Sequence, residues 1–331
     1  MTAGLPVPGF LVRRHRIAHA LQCVVLASTL ALSAAAAAED AVVRDARGRD
    51  VTIGHPTRIV SIGGAVTEIL YALGFEDRLA GVDATSLYPA SALRDKPNVG
   101  YMRQLSAEGV LGLNPQLVLA IAGSGPKETI DVIDAAKIPL IMVPDTFTEA
   151  GMVEKIRLVA KVAGVEPRGE CLANAVAGDL AALRDLRAKV KTPPRVMFVM
   201  SFLDGRAMVA GQKTAANEII KLAGGVNVAD SFDGYKIMSD EAIAAAKPDT
   251  VLSMERGKDT LQADAVFASP AFALTPAAKT RKLVTMDGLY LLGFGPRTAA
   301  AARDLAVKLD PALTADAASF KPASLAVDCR Q

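Results

Sequence analysis

Two stretches of this chain repeat one order of parts, and any fold it adopts has to accommodate the duplication. In the first stretch, Arg58 to Ile62 is a β-branched run followed by Gly63-Gly64. Thr67 to Gly74 then has helical spacing and a terminal glycine. Leu105 to Pro115 reads as a short helix opened by Ser106 and closed before the proline, leading into the apolar strand Leu117 to Ile121. In the second stretch, Arg195 to Met200 is again a strand and Thr214 to Gly224 again a helix ending in glycine. Met238 to Pro248 again precedes a strand, Thr250 to Ser253. Ser106 follows Arg58 by 48 positions and Ser239 follows Arg195 by 44, a recurrence that chance similarity rarely gives. Strands alternating with helices call for parallel sheets covered on both faces. The sequence therefore predicts an α/β protein of two lobes.

Between the copies, Thr148 to Gly164 and Glu166 to Lys191 both carry helical periodicity, and Pro193-Pro194 stop the second. At 1.5 Å per residue the second helix spans ~35–40 Å, enough to join two small lobes. The expected organisation is a leader over residues 1–38, an N-terminal lobe over 39–165, an interlobe helix over 166–191 and a C-terminal lobe over 192–331. A helical connector resists hinge closure, so the lobes are expected to move little on binding a ligand.

The leader is read as a cleavable secretory signal. Arg13, Arg14 and Arg16 precede an apolar run from Ile17 to Leu32, and Ala-x-Ala cleavage falls near Ala38. Cys23 sits inside the apolar run without the small residues that precede a lipidated cysteine, so a soluble periplasmic product is expected. Removing the leader takes away three of the 37 basic residues and none of the 35 acidic ones, leaving a net charge of −1. Such a surface offers no concentrated positive patch for nucleic acid or anionic lipid. Cys171 and Cys329 remain, far apart in sequence; an oxidising compartment permits a disulfide between them, and sequence alone does not show that they meet. His15 and His19 leave with the signal and His55 stands alone, which argues against a histidine metal site. Ser61 to Thr67 has the outline of a glycine-rich phosphate loop. It matches neither G-x-G-x-x-G nor G-x-x-x-x-G-K-[ST], and no serine or cysteine nucleophile motif is present, so no enzymatic activity is expected.

These features resemble the periplasmic binding proteins with a single interlobe helix, the group that serves cobalamin, iron-siderophore and haem importers. The resemblance covers essentially all of the chain after the leader. The strings Asp83 to Pro89 and Val99 to Gly109 look like the haem-binding members, and Gly288 to Arg297 looks like their C-terminal signature. The resemblance implies a monomeric receptor that carries haem b in the cleft between its lobes to an inner-membrane permease and, through the permease, its ATPase. A receptor for an iron-siderophore or cobalamin-type chelate is the alternative.

The chemistry agrees with the first of these, since ferric haem iron suits a phenolate oxygen. Arg103 lies two residues beyond Tyr101, and in an extended segment the two side chains share a face, where the guanidinium can hydrogen-bond the phenolate and favour its metal-binding form. The resemblance gives Tyr101 the role of axial ligand and Arg103 that of its partner; without the motif, a loop tyrosine capped by a neighbouring arginine is the plainer reading. Tyr88, before Pro89, is the competing tyrosine. The loops that follow the strands, Gly63-Gly64 and Met254 to Arg256 among them, are expected to wall the cleft, with Arg256 a candidate cation for iron-side oxygen or propionate and otherwise a solvated arginine beside Glu255. Some members of the group hold a second haem through a histidine after the first strand of the second lobe. Here Met200 to Met208 has Phe202 near that place and no imidazole, so one five-coordinate haem is expected. Glu68 and Glu218 lie six positions before Gly74 and Gly224, and the resemblance implies that such a pair docks the permease; complementing the helix dipole is the plainer role.

Overall fold

The computed structural model describes residues 1–5, 40–255 and 260–330. Most of the leader, with His15, His19 and Cys23, lies outside the described residues, and so does Arg256. Among the described residues no helix is long and apolar enough to cross a membrane.

A two-stranded hairpin comes first, β1 (Ala41–Arg44) paired with β2 (Asp50–Ile53). The first lobe is built on β3 (Ile59–Ile62), β4 (Leu79–Val82), β5 (Leu117–Ile121) and β6 (Leu140–Val143), in the order β4-β3-β5-β6 and parallel throughout. Every residue of β3, β5 and β6 is buried, as a parallel sheet covered on both faces requires.

The second lobe carries β7 (Arg195–Leu203), β8 (Arg206–Ala210), β9 (Val226–Asn227), β10 (Tyr235–Met238), β11 (Thr250–Glu255) and β12 (Leu283–Asp287). Its order is β10-β8-β7-β11-β12, with β9 also pairing β7. Here the expectation of an all-parallel sheet is corrected. β7 runs parallel to β11 but antiparallel to β8, and β8 antiparallel to β10. The cause is local: Leu203 pairs with Arg206 across Asp204-Gly205, both with positive φ (50° and 73°). Asp-Gly favours this tight hairpin because its backbone twist matches that of the flanking strands.

The helices follow the repeat. Gly64–Ala72 in the first lobe and Ala215–Leu222 in the second are each followed by a left-handed glycine, Gly74 (φ 78°) and Gly224 (φ 83°). Ala107–Leu111 and Asp240–Ala246 are each opened by a serine, Ser106 accepting from the Gly109 amide and Ser239 from that of Ala242, both at 3.3 Å.

The connector is the helix Glu166–Arg187, 22 residues, which ends before the expected Lys191. It packs so closely on the helix Glu149–Ala163 that a Cβ on Gly169 would lie 2.2 Å from that of Ala160. One apolar core runs from Ile59 and Ile69 in the first lobe, through Leu172 and Leu180 of the connector, to Phe198 and Ile219 in the second. The C-terminal tail is strapped along the connector. Buried Asp179 accepts from the amides of Ala323 (2.6 Å) and Ser324 (2.9 Å), Cys171 is disulfide-bonded to Cys329, and Arg330 donates to the Tyr71 carbonyl at 2.9 Å. The two cysteines whose meeting sequence left open are therefore joined.

Candidate functional site

A cavity of about 860 Å³ opens at the carboxyl ends of both sheets, the place where open α/β sheets bind ligands. The first lobe contributes Gly63-Gly64 after β3, Thr85 after β4, Ile121 from β5, and Asp145 and Phe147 after β6. The second contributes Met200 from β7, Lys213, Tyr235 from β10, Met254 and Glu255 from β11, and Leu289, Leu292 and Gly293 after β12. The lining is largely apolar, with few polar groups to fix an orientation, as in small-molecule sites generally.

The glycine turn is fully committed inside the protein. The Gly63 amide donates to Asp83 Oδ1 (2.8 Å) and the Gly64 amide to Thr85 Oγ1 (3.0 Å). Asp83, fully buried, also takes the Thr85 amide, the Thr85 hydroxyl and the Ser86 hydroxyl. Neither amide is left to cradle a phosphate. The glycines are needed for close approach instead: a Cβ on Gly64 would stand 2.3 Å from the Thr85 carbonyl oxygen and 2.6 Å from Leu289 of the second lobe.

Tyr101 and Arg103 both line the cavity, and Arg103 Nη1 donates to Tyr101 Oη at 2.9 Å. The backbone that brings them together is a turn, not the extended segment expected, closed by the Gln104 amide on the Tyr101 carbonyl at 2.7 Å. Gly100, at φ 97°, starts it. Backbone bonds between Gly125 and both Met102 and Leu105, each 2.9 Å, pin the loop to the segment after β5.

Tyr88 is not on the cavity wall. Its ring lies against the guanidinium of Arg297, 3.7 Å away, and Tyr290 approaches the same cation at 5.2 Å. Arg297 in turn holds Glu68 by two bonds, amide to Oε1 (3.2 Å) and Nη2 to Oε2 (3.0 Å). Glu68 is only 5% exposed, and burial pushes its carboxyl above the ordinary range while the Arg297 guanidinium opposes the rise. The expected docking carboxylate is thus a buried link from the first lobe to the C-terminal signature. Glu218 is half-buried and engaged with Asn217 and Lys221. Tyr290 donates to Asp304 at 2.8 Å, and burial first, then this carboxylate, lifts its phenol well above the usual range. Phe202 packs edge-on against Phe272, 6.0 Å away, in the second-lobe core. Arg256 lies outside the described residues, but β11, which leads to it, ends on the cavity wall with Met254 and Glu255.

Sequence reasoning passed over several groups here. Lys155 is fully buried and donates to Asp145 on the cavity wall (2.7 Å) and to the Phe294 carbonyl (3.2 Å), a second polar link to the C-terminal signature. Lys213 lines the cavity from the second lobe and pairs with Asp233 at 2.6 Å. Glu108 and Glu241 are exposed, each in the first turn of a helix opened by a repeat serine. Hydrogen bonds from its own amide and from Ser239 hold the Glu241 carboxyl below the ordinary range. Their equal place in the repeat was visible in the sequence.

A cleft between two α/β lobes, joined by one long helix and walled by apolar side chains, defines a solute receptor. The chain belongs to the periplasmic binding protein family, whose model matches residues 59–289. It is similar to the apo structure of the periplasmic heme-binding protein RhuT from Roseiflexus sp. RS-1, with 40% identity and a TM-score of 0.74 over 77% of this chain and 98% of that one. It is also similar to a periplasmic heme binding protein from Pseudomonas aeruginosa, with 31% identity and a TM-score of 0.70 over 81% and 95%. Among curated relatives, the uncharacterized ABC transporter substrate-binding lipoprotein YvrC of Bacillus subtilis is 28% identical over 81% of this chain and 85% of its own length.

Proposed function

We propose that this protein is the periplasmic receptor of an ABC importer, binding one ferric haem in its cleft through Tyr101 and delivering it to the permease. The observation that carries the reading is the Tyr101 phenol on the cavity wall, held by Arg103 at 2.9 Å. As the iron–oxygen bond forms, the phenol proton leaves to solvent and the guanidinium stabilises the oxygen that remains. Leu87, Met102, Ile121, Phe147, Met200 and Leu289 offer an apolar bed to the porphyrin faces, and Lys213 offers a cation to a propionate at the mouth. The similar heme-binding structures support the same cargo. Titration with hemin is expected to saturate at one equivalent with the visible charge-transfer band of tyrosinate-ligated ferric iron. No spectral change with hemin, together with saturable binding of cyanocobalamin or a ferric siderophore, would replace haem by one of those chelates.

Delivery requires exposed groups that report the orientation of both lobes, which Glu68 cannot be. Glu108 and Glu241 can: helices that precede parallel strands start at the carboxyl edge of a sheet, so both carboxylates stand on the face where the cleft opens, one per lobe. One acidic group on each lobe sets the docking register on a basic permease surface. The double variant Glu108→Gln/Glu241→Gln is expected to bind haem as the unaltered protein does and to lower permease-dependent haem uptake by at least about tenfold, ~1.4 kcal/mol of docking. Uptake at the unaltered rate would take the role from these residues.

A further inference from the structure

Asp83 is fully buried, and four neutral donors hold its carboxylate. Oδ1 accepts from the Gly63 amide (2.8 Å) and the Ser86 hydroxyl (3.0 Å), Oδ2 from the Thr85 amide (3.0 Å) and the Thr85 hydroxyl (2.8 Å). Behind Ser86 stand two more buried hydroxyls, Thr67 at 2.8 Å from Ser86 and Ser61 at 2.8 Å from Thr67. A hydroxyl has one proton to donate, and that of Ser86 is committed to Asp83, so Thr67 donates to Ser86 and Ser61 to Thr67. All three dipoles therefore point towards the carboxylate and strengthen one another. A carboxylate kept from water is costly unless its hydrogen bonds are complete, which leaves this set of donors little freedom to shift.

The loop held in this way borders the proposed iron ligand. Ala84, between Asp83 and Thr85, donates its amide to the Gly100 carbonyl at 2.8 Å, and that carbonyl belongs to the peptide that enters Tyr101. Gly100 stands at φ 97°, where a glycine pivots at no steric cost, so the direction in which Tyr101 leaves depends on what its neighbour's carbonyl is bound to. We propose that Asp83 is a positioning residue of the haem site: its buried carboxylate fixes the loop from Ala84 to Ser86, and that loop sets the turn that presents the Tyr101 phenol to the cleft. The proposal rests on Tyr101 being the iron ligand. Asp83 is not on the cavity wall. It acts by raising the fraction of the protein in which the phenol is already placed, and apparent affinity scales with that fraction. Asparagine at position 83 puts an NH2 group where one oxygen accepts two bonds, so two donors lose their acceptor and the Ala84 amide shifts from Gly100.

The experiment is hemin titration of the unaltered protein, Asp83→Asn, Tyr101→Ala and the double variant, with absorption spectra at saturation. Asp83→Asn is expected to lose roughly tenfold in hemin affinity and to show a weakened or shifted tyrosinate charge-transfer band, since the phenol meets the iron less often and less squarely. In the Tyr101→Ala background the same substitution is expected to change affinity by less than about threefold, because a residue that acts through the phenol has nothing left to position. A merely structural carboxylate would cost the same factor in both backgrounds. Unfolding curves of the haem-free proteins control for folding. Ser86→Ala, which removes one of the four bonds and leaves the carboxylate, is the milder variant should Asp83→Asn not fold; it is expected to show a smaller loss with the same dependence on Tyr101. Unaltered affinity and spectrum in Tyr101→Ala would remove the ligand reading, and this proposal with it. A loss in Tyr101→Ala together with an equal cost of the Asp83 or Ser86 substitution in both backgrounds, or with an undiminished tyrosinate band in Asp83→Asn, would overturn the positioning role alone.

Discussion

Replacing Tyr101 by alanine is expected to lower haem affinity by about a hundredfold or more, and Arg103→Ala by roughly ten- to a hundredfold. The order follows from what each side chain touches. In the proposed binding mode Tyr101 supplies the oxygen on the metal, whereas Arg103 acts on that oxygen through one hydrogen bond of 2.9 Å. Both residues stand on a turn held by Gly100 and by backbone bonds to Gly125, so truncating either side chain leaves the loop in place. Equilibrium titration with hemin, fitted for each variant, reads the effect, and haem-free unfolding curves matching the unaltered protein show that the fold is intact. Arg103→Lys separates charge from geometry: a lysine keeps the cation but not the planar fork, and recovers only part of the loss. An affinity within threefold of the unaltered value for Tyr101→Ala would remove this phenol as the principal ligand.

The two-lobed plan and the tyrosine-arginine pair were legible because both are local or periodic. Strand, glycine and serine cap recur at fixed separations, and the side chains of Tyr101 and Arg103 meet within one turn. The hairpin between β7 and β8 was also written locally, in Asp204-Gly205, but attention to the parallel pattern passed over it. Glu68 was misplaced for a different reason. Its position relative to Gly74 matches that of Glu218 relative to Gly224, yet burial is not periodic. Glu68 lies under Arg297, 229 residues away, while Glu218 is half-exposed. The links from Lys155 to Asp145 and Phe294 are of the same tertiary kind.

Arg297→Ala is expected to destabilise the protein by about 3–5 kcal/mol, because it strands the Glu68 carboxylate in the interior. The guanidinium holds one oxygen of that carboxylate, the main-chain amide that alanine keeps holds the other, and the guanidinium also lies against the Tyr88 and Tyr290 rings, so the variant loses a cation and its packing together. For a chain of this size the melting temperature falls by roughly 2–4 °C per kcal/mol. The loss depends on pH with a definite sign. Without the Arg297 guanidinium only the main-chain amide of residue 297 still opposes the burial that raises Glu68 above its ordinary 4.5, so the carboxyl rises further and the folded state holds a proton that the unfolded state releases. The stability of the variant therefore falls as pH rises from about 4.5 through the raised folded value, and its deficit against the unaltered protein narrows on acidification towards pH 4.5. Removing both charges in Glu68→Gln/Arg297→Met recovers part of the loss at neutral pH, since no ion is then left buried alone. Thermal unfolding of the three proteins between pH 4.5 and 7.5 reads both effects. A deficit for Arg297→Ala that is small, or that stays constant across this range, would mean that the pair does not carry the contact between the first lobe and the segment after β12.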